Sequence, residues 1–351
     1  MRLADQAGLA QILAMTKSMI AIAISTPGAP EVLAAVNHPI PEIGPDDILI
    51  QVAAAGLNGP DIAQRRGHYP PPPDASPLPG LEVSGHVAAV GKSIGQFQVG
   101  DAVVALTNGG GYAEFVSVPA GQVLMAPPNW SLVDAAALPE TWFTVTQSLV
   151  MRAQLAAGMN VLIHGGAGGI GGAAIQICTV IGANPIAVVS NAQKAAYAMS
   201  LGASATIDRT GQNIAERVGV LTNGHGVDRI VDIVGGDTAA INIAAAARFG
   251  HIVLLSTLGG GKATVPLSEL MVRQLTLSGS TLRPQSAQTK AAIAQHIKSH
   301  LWPALSRPDW PHPRIKKFPL TAAAAAHQAL ECPDNYGKIL LITPYGNRLT
   351  A

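Results

Sequence analysis

From Val161 the chain runs apolar for three residues, enters a glycine-rich turn at Gly165, and resumes as an apolar or small-residue stretch from Ile170 to Ile181. That order predicts a short buried strand, a tight turn and a helix. Apolar runs of strand length recur as PIAVVS (185–190), SATID (204–208), DRIVDIV (228–234) and HIVLLS (251–256), with helical or alanine-rich segments between them. The alternation predicts a doubly wound parallel sheet, because each crossover returns a helix to a sheet face. LTLSGST (275–281) adds an edge strand, and exposed edges invite pairing with a second copy, so a homodimer through Leu275 to Thr281 is expected.

The pattern differs upstream. From Ile20 to about Pro128, short runs such as MIAIAIS (19–25), DILIQVAAAGLN (47–58) and LEVSGHVAAVGKS (81–93) alternate with turn clusters, which predicts a β-rich domain. Between them, residues 56–80 read as a loop, since Pro70 to Pro73 preclude helix or ladder pairing. Asn58, Asp61, Arg65, Arg66 and Tyr69 cluster on it. They fit two readings, binding groups on a rigid loop or turn and N-cap residues. Ser131 is a candidate N-cap for the segment 131–148, which leads into the glycine turn.

Within that turn Gly165, Gly168 and Gly171 stand at GxxGxxG spacing, with Gly169 and Ile170 at the helix start. Missing Cβ atoms permit a tight turn and close approach of backbone N–H groups to a dinucleotide pyrophosphate, although such turns also join strands to helices with no ligand. An unphosphorylated ribose is normally held by an acid about 20 residues further on. No acidic residue occurs between Glu140 and Asp208, whereas Ser190, Lys194 and Arg209 follow the next two strands. Those donors suit a 2′-phosphate, which favours NADPH; the alternative is two solvated surface cations. Thr257 and Leu258 follow HIVLLS, at a strand's carboxyl end where open α/β sheets bind ligands.

Composition narrows the function classes. With 351 residues, 48% hydrophobic and 12% charged, the chain supports a large core and two domains. The net charge of +1 contains no basic block, so neither nucleic acid nor an anionic membrane is expected as a partner. No apolar stretch reaches the roughly 18 to 20 residues of a membrane span, and the mean hydropathy of +0.30 reflects alanine and buried strands. Cys178 and Cys332 are too few for a disulfide framework or multi-cysteine zinc site and fit a cytoplasmic location. The ten histidines show no HExxH spacing, so no metal is expected. Residues 1–18 carry Asp5 and lack a secretory apolar core, and they read as a leader or an upstream start.

Seven ordered motifs add a family. PGAPEVL (27–33), AAGLNGPDIAQRRGHYPPP (54–72), LPGLEVSGHVAAVG (78–91), GGGYAEF (109–115), AAALPETWFTV (135–145), VLIHGGAGGIG (161–171) and GSTLRP (279–284) resemble the quinone oxidoreductase, or zeta-crystallin, branch of the medium-chain dehydrogenase/reductase superfamily. The resemblance implies an α/β fold in which a Rossmann doubly wound sheet (139–283) is inserted into a GroES-like β-barrel catalytic domain built from 19–138 and 284–351. It also implies that Asn58, Asp61 and Tyr69 line the nicotinamide and substrate, with Thr144 near the cofactor's centre. Leu282 and Arg283 would close over the cofactor, and Lys338 would reach its phosphate. Zinc-dependent relatives carry a cysteine where this chain has Asn58 and a histidine where it has Leu81, so the resemblance implies a zinc-free enzyme.

The expected activity is hydride transfer from NADPH to a quinone. An enone or enoyl-thioester reductase and a nonenzymatic NADPH-binding protein are the alternatives.

Overall fold

The structure, a computed structural model, describes residues 17–73 and 75–350. Of the leader read at 1–18, all but Lys17 and Ser18 lies outside the described residues. The chain divides into two compact units, one built from residues up to Glu140 with 283–308 and 314–351, the other from 141–282 with 309–313.

The first unit is organised by the strand Asp47–Gly56, which is buried along all but its first residue. Ile48, Ile50 and Val52 enter one apolar cluster while Leu49 enters another, so the strand is covered on both faces and its sequence shows no clean alternation. It pairs antiparallel with Glu82–Val90, Phe115–Pro119 and Lys338–Ile342. Register shifts at Leu49/Ile50 and Val52/Ala54 mark bulges, which bend a strand and let a sheet curl. Outer strands complete the order Ile315–Pro319, Lys338–Ile342, Asp47–Gly56, Glu82–Val90, Ala102–Leu106, Val123–Met125.

Residues 56–80 are not all loop. Gly59–Arg65 forms a helix with Pro60 in its first turn, where a missing N–H costs nothing. Pro70 to Pro73 shape only the stretch after this helix, because proline's restriction acts on its own φ and on the residue before it.

The second unit holds six parallel strands in the order Ala205–Asp208, Asn184–Val189, Asn160–Ile163, Val227–Asp232, Ala246–Leu254, Thr276–Gly279. Leu162 lies in register with Ile186 on one side and Ile230 on the other, and all three join a core completed by Ile207, Val218, Ile243 and Ile252. Each such side chain contributes about 1.5–3 kcal/mol on burial. Thr276–Gly279 is an edge strand, as the pattern predicts.

Ser131 Oγ accepts the Asp134 N–H and caps a short helix, Leu132–Ala135. A second helix opens at Pro139 and continues beyond Val145 as a π-helix to Arg152. Among the described residues no helix is long and apolar enough to cross a membrane.

Candidate active site

Strand register in the first unit assembles a buried polar cluster. Leu340 pairs with Gly56, so Lys338, two residues earlier, falls opposite Asn58 just past the strand's end. Val83 pairs with Ala55, which sets Glu82 opposite Gly56. A Cβ at Gly56 would come within 2.5 Å of Glu82 Cδ, so glycine there makes room for the carboxylate. The Lys338 ammonium donates to Glu82 Oε1, to Asn58 Oδ1 at 2.9 Å and to the Leu57 carbonyl at 3.3 Å. Asn58 Nδ2 donates to Glu82 Oε1 at 2.8 Å, and the Glu140 N–H donates to Glu82 Oε2 at 2.9 Å.

The structure gives the internal contacts of two residues expected at the cofactor or substrate. Lys338, expected at a cofactor phosphate, is 5% exposed and its three donors are all taken inside the first unit. Asp61, expected to line the substrate, is fully buried and accepts the Asn58 N–H at 2.9 Å and the Gly80 N–H at 3.0 Å. It caps its own helix and ties that helix to the Gly80 turn. Burial is the main cause that lifts its pKa to about 6, against the pull of those two N–H groups.

Tyr69 is half-buried, and its hydroxyl makes no hydrogen bond among the described residues. Burial, and after it the charge of Glu140, raises its pKa, which keeps the phenol protonated. The Arg283 guanidinium lies over the Tyr69 ring, 5.6 Å from its centroid. Arg283 is buried as well, and it donates to the Asn108 carbonyl and to Gln64 Oε1, both at 2.9 Å. These bonds hold the guanidinium against the Tyr69 ring. Leu282 belongs to the second unit and is buried there.

Glu82, Glu140 and Lys290 escaped sequence reading. Lys290 Nζ donates to Asn108 Oδ1 at 2.6 Å and to the Arg283 carbonyl at 2.7 Å, which secures the guanidinium's own backbone. Burial lowers its pKa to about 8. Glu140 was visible only as the last acid before an acid-free stretch, and Glu82 only as the neighbour of Leu81.

The two loop arginines both turn to Glu331. Arg65 makes a two-bond pair with it at 3.0 Å, Arg66 donates to it too, and Arg65 Nη1 also lies 3.3 Å from His327 Nδ1. His327 Nε2 in turn faces the Tyr112 hydroxyl at 3.3 Å. Burial, then the charge of Arg65, takes the His327 pKa down to about 4, so this chain of contacts holds a neutral imidazole.

In the second unit the turn after Asn160–Ile163 suits a pyrophosphate. Gly165 adopts φ of +66°, which favours glycine. A Cβ at Gly171 would strike the Gly165 carbonyl and come within 2.6 Å of Gly166 Cα, so this glycine lets the helix Gly169–Ile181 close on the turn. A Cβ at Gly168 would meet only the Gly165 carbonyl oxygen, at 3.4 Å. With Gly168 as N-cap the helix start has no side-chain cap, which leaves its N–H groups open to an anion. Lys194 Nζ donates to Ser190 Oγ at 3.2 Å, bringing those two candidates together, and Arg209 is exposed after the adjacent strand. Asp208 is tied to Thr210 by two hydrogen bonds, which lower its pKa. Thr257 and Leu258 are exposed in the loop after Ala246–Leu254, and Thr144 is half-buried in Pro139–Val145.

The antiparallel β-structure with its buried polar cluster, and the parallel sheet with its glycine turn, are the two parts of a nicotinamide-dependent oxidoreductase. Residues 44–128 match the alcohol dehydrogenase GroES-like domain family, and residues 169–298 match the zinc-binding dehydrogenase family. A quinone oxidoreductase of Pseudomonas aeruginosa is 31% identical over 322 residues, covering 90% of this chain and 97% of that protein. The Escherichia coli quinone oxidoreductase crystallised with NADPH is 28% identical with a TM-score of 0.79, covering 92% of this chain and 99% of that one. The CurK enoyl reductase is 25% identical with a TM-score of 0.81, covering 93% and 99% respectively. The chain belongs to the quinone oxidoreductase branch of the medium-chain dehydrogenase/reductase superfamily.

Proposed function

We propose that this protein reduces a quinone with NADPH and does so without zinc. The zinc-free reading rests on Lys338: a positive charge built into the chain sits against Glu82 and the Asn58 amide, while Leu81 offers no ligand atom. The backbone from Gly165 to Gly171 would hold the pyrophosphate, and Ser190, Lys194 and Arg209 the 2′-phosphate. Bound NADPH would supply the hydride. The Tyr69 hydroxyl, supported by Arg283, donates a hydrogen bond to the substrate oxygen as negative charge develops on it.

The likeness to the CurK enoyl reductase supports a second reading, reduction of an enone or enoyl thioester by the same hydride geometry. Steady-state oxidation of NADPH and of NADH against a naphthoquinone and a crotonyl thioester separates the two. We expect faster turnover with the quinone and a preference for NADPH. Lys194→Ala with Arg209→Ala is expected to lower NADPH affinity by about tenfold or more and leave NADH affinity unchanged. NADPH affinity equal to wild type would remove the 2′-phosphate assignment, and tight binding with no turnover would favour a nonenzymatic role.

A homodimer through Thr276–Gly279 is part of the same proposal. Leu277 on this edge strand is 46% exposed, and Met271 on the preceding helix is 70% exposed beside the similarly exposed Leu267 and Val272. Light scattering is expected to give twice the chain mass, reduced to one chain by Leu277→Glu. A single-chain mass for the wild type at micromolar concentration would contradict it.

A further inference from the structure

At the carboxyl end of the strand Val227–Asp232, the buried Asp232 side chain meets four donors. Oδ1 accepts the N–H groups of Val234 at 2.7 Å and Gly235 at 3.1 Å, and Oδ2 accepts the Thr238 hydroxyl and Asn242 Nδ2, both at 2.8 Å. A carboxylate oxygen only accepts here, so the Asn242 atom beside it is the amide nitrogen, and Asn242 Oδ1 is the atom that faces His164 Nε2 at 2.7 Å. An amide oxygen also only accepts, which puts the His164 proton on Nε2. Asn242 and His164 are both buried, and burial lowers the pKa of the imidazole and keeps it neutral against the pull of Asp232.

This chain of contacts spans the place where the sheet order reverses. The strands run outward one way from Asn160–Ile163 and the other way from its neighbour Val227–Asp232, and open parallel sheets take a dinucleotide across the strands' carboxyl ends at such a point. His164 immediately precedes the glycine turn, and Ile233 Cδ1 fills the space of the missing Cβ at Gly165, 2.5 Å from where that atom would lie. On the other side, the Val234 carbonyl accepts the Gly259 N–H at 2.7 Å, and Gly235 bridges to Gly260. A Cβ at Gly235, whose φ is +67°, would lie 2.9 Å from the Gly260 carbonyl oxygen and 3.2 Å from Thr257 Cα. The turn 233–236 is thus packed against the glycine turn on one side and the loop 257–260 on the other.

We propose that Asp232 is a positioning residue for the nicotinamide end of the cofactor. One carboxylate oxygen sets the turn 233–236, on which the loop bearing Thr257 and Leu258 rests. The other holds that turn in place beside the glycine turn through Asn242 and His164. Asp232 acts through these neighbours, its own oxygens being taken by four protein donors. The proposal rests on the NADPH reading above.

Titration of the cofactor-free protein with NADPH and with 2′-phospho-ADP-ribose, which is NADPH without its nicotinamide, separates positioning from general stability. Asp232→Ala is expected to weaken NADPH binding by about tenfold and binding of the fragment by no more than about twofold. Asp232→Asn keeps an oxygen for the Val234 and Gly235 N–H groups and is expected to restore most of the lost affinity. Its amide nitrogen also turns the Asn242 side chain around, which moves the His164 proton from Nε2 to Nδ1. Nitrogen-15 NMR of the imidazole reads that move, which a merely structural role for Asp232 would not produce. Gly235→Ala leaves the polar chain whole but presses a Cβ onto the loop 257–260, and it is expected to show the same selective loss of NADPH over the fragment, even where Asp232→Ala fails to fold. The proposal is overturned if the folded variants keep wild-type NADPH affinity, if they weaken NADPH and the fragment alike, or if the wild-type His164 proton is on Nδ1. A wild type that binds neither ligand removes the cofactor reading and the proposal with it, whereas the preceding outcomes remove the positioning role alone.

Discussion

Lys338→Met is expected to lower the stability of the folded protein by about 3–5 kcal/mol and to leave NADPH affinity unchanged. Lys338 and Glu82 are 5% and 0% exposed, so the pair is screened little by solvent. Removing the ammonium leaves the Glu82 carboxylate with only the Asn58 amide and the Glu140 N–H as donors. Loss of one partner of a buried pair costs more than the pair's own net contribution, because an uncompensated charge stays behind. Adding Glu82→Gln should therefore recover part of the loss, a coupling that urea denaturation of the two single variants and the double variant measures. A fall in NADPH affinity with stability intact would identify Lys338 as a phosphate contact.

Gly168→Val and Gly171→Ala are expected to fail in opposite ways. At Gly171 a Cβ would overlap turn backbone, with the Gly165 carbonyl and Gly166 Cα as the obstructing atoms, and backbone yields less readily than a side chain. Loss of about 1–3 kcal/mol of stability is expected, with cofactor binding lost alongside. At Gly168 an added Cβ has room, its one neighbour within 4 Å being the Gly165 carbonyl oxygen at 3.4 Å. Gly168→Val should keep the wild-type Tm and lower NADPH affinity by at least about tenfold, since the side chain enters the space above the helix start. Tm by calorimetry and Kd by fluorescence titration separate the two outcomes. Unchanged affinity in Gly168→Val would mean that the pyrophosphate is held elsewhere.

The repeated apolar runs made the parallel sheet legible, because strands covered on both faces keep their whole pattern local in sequence. The glycine turn was legible for the same reason: Gly165, Gly168 and Gly171 act through their own backbone. The helix Gly59–Arg65 was obscured by the prolines downstream of it, though Pro60 and the Asn58–Asp61 spacing are start signals. Least legible was the buried cluster. Asn58, Glu82 and Lys338 are far apart in the chain and meet only through strand register, which short-range patterns do not fix. Asp61 illustrates the remaining ambiguity, since a carboxylate three residues past an asparagine reads equally as a cap or as a site residue, and the cap contacts show only in the fold.

The central proposal is that this chain reduces a quinone with NADPH without zinc, with the Lys338 ammonium standing against Glu82 and Asn58. It is tested most directly by NADPH oxidation with a naphthoquinone, using protein stripped of metal by chelation and checked for zinc by elemental analysis. Turnover equal to that of untreated protein, and unaltered by added zinc, is the predicted result. Activity lost on stripping and restored by stoichiometric zinc would contradict it.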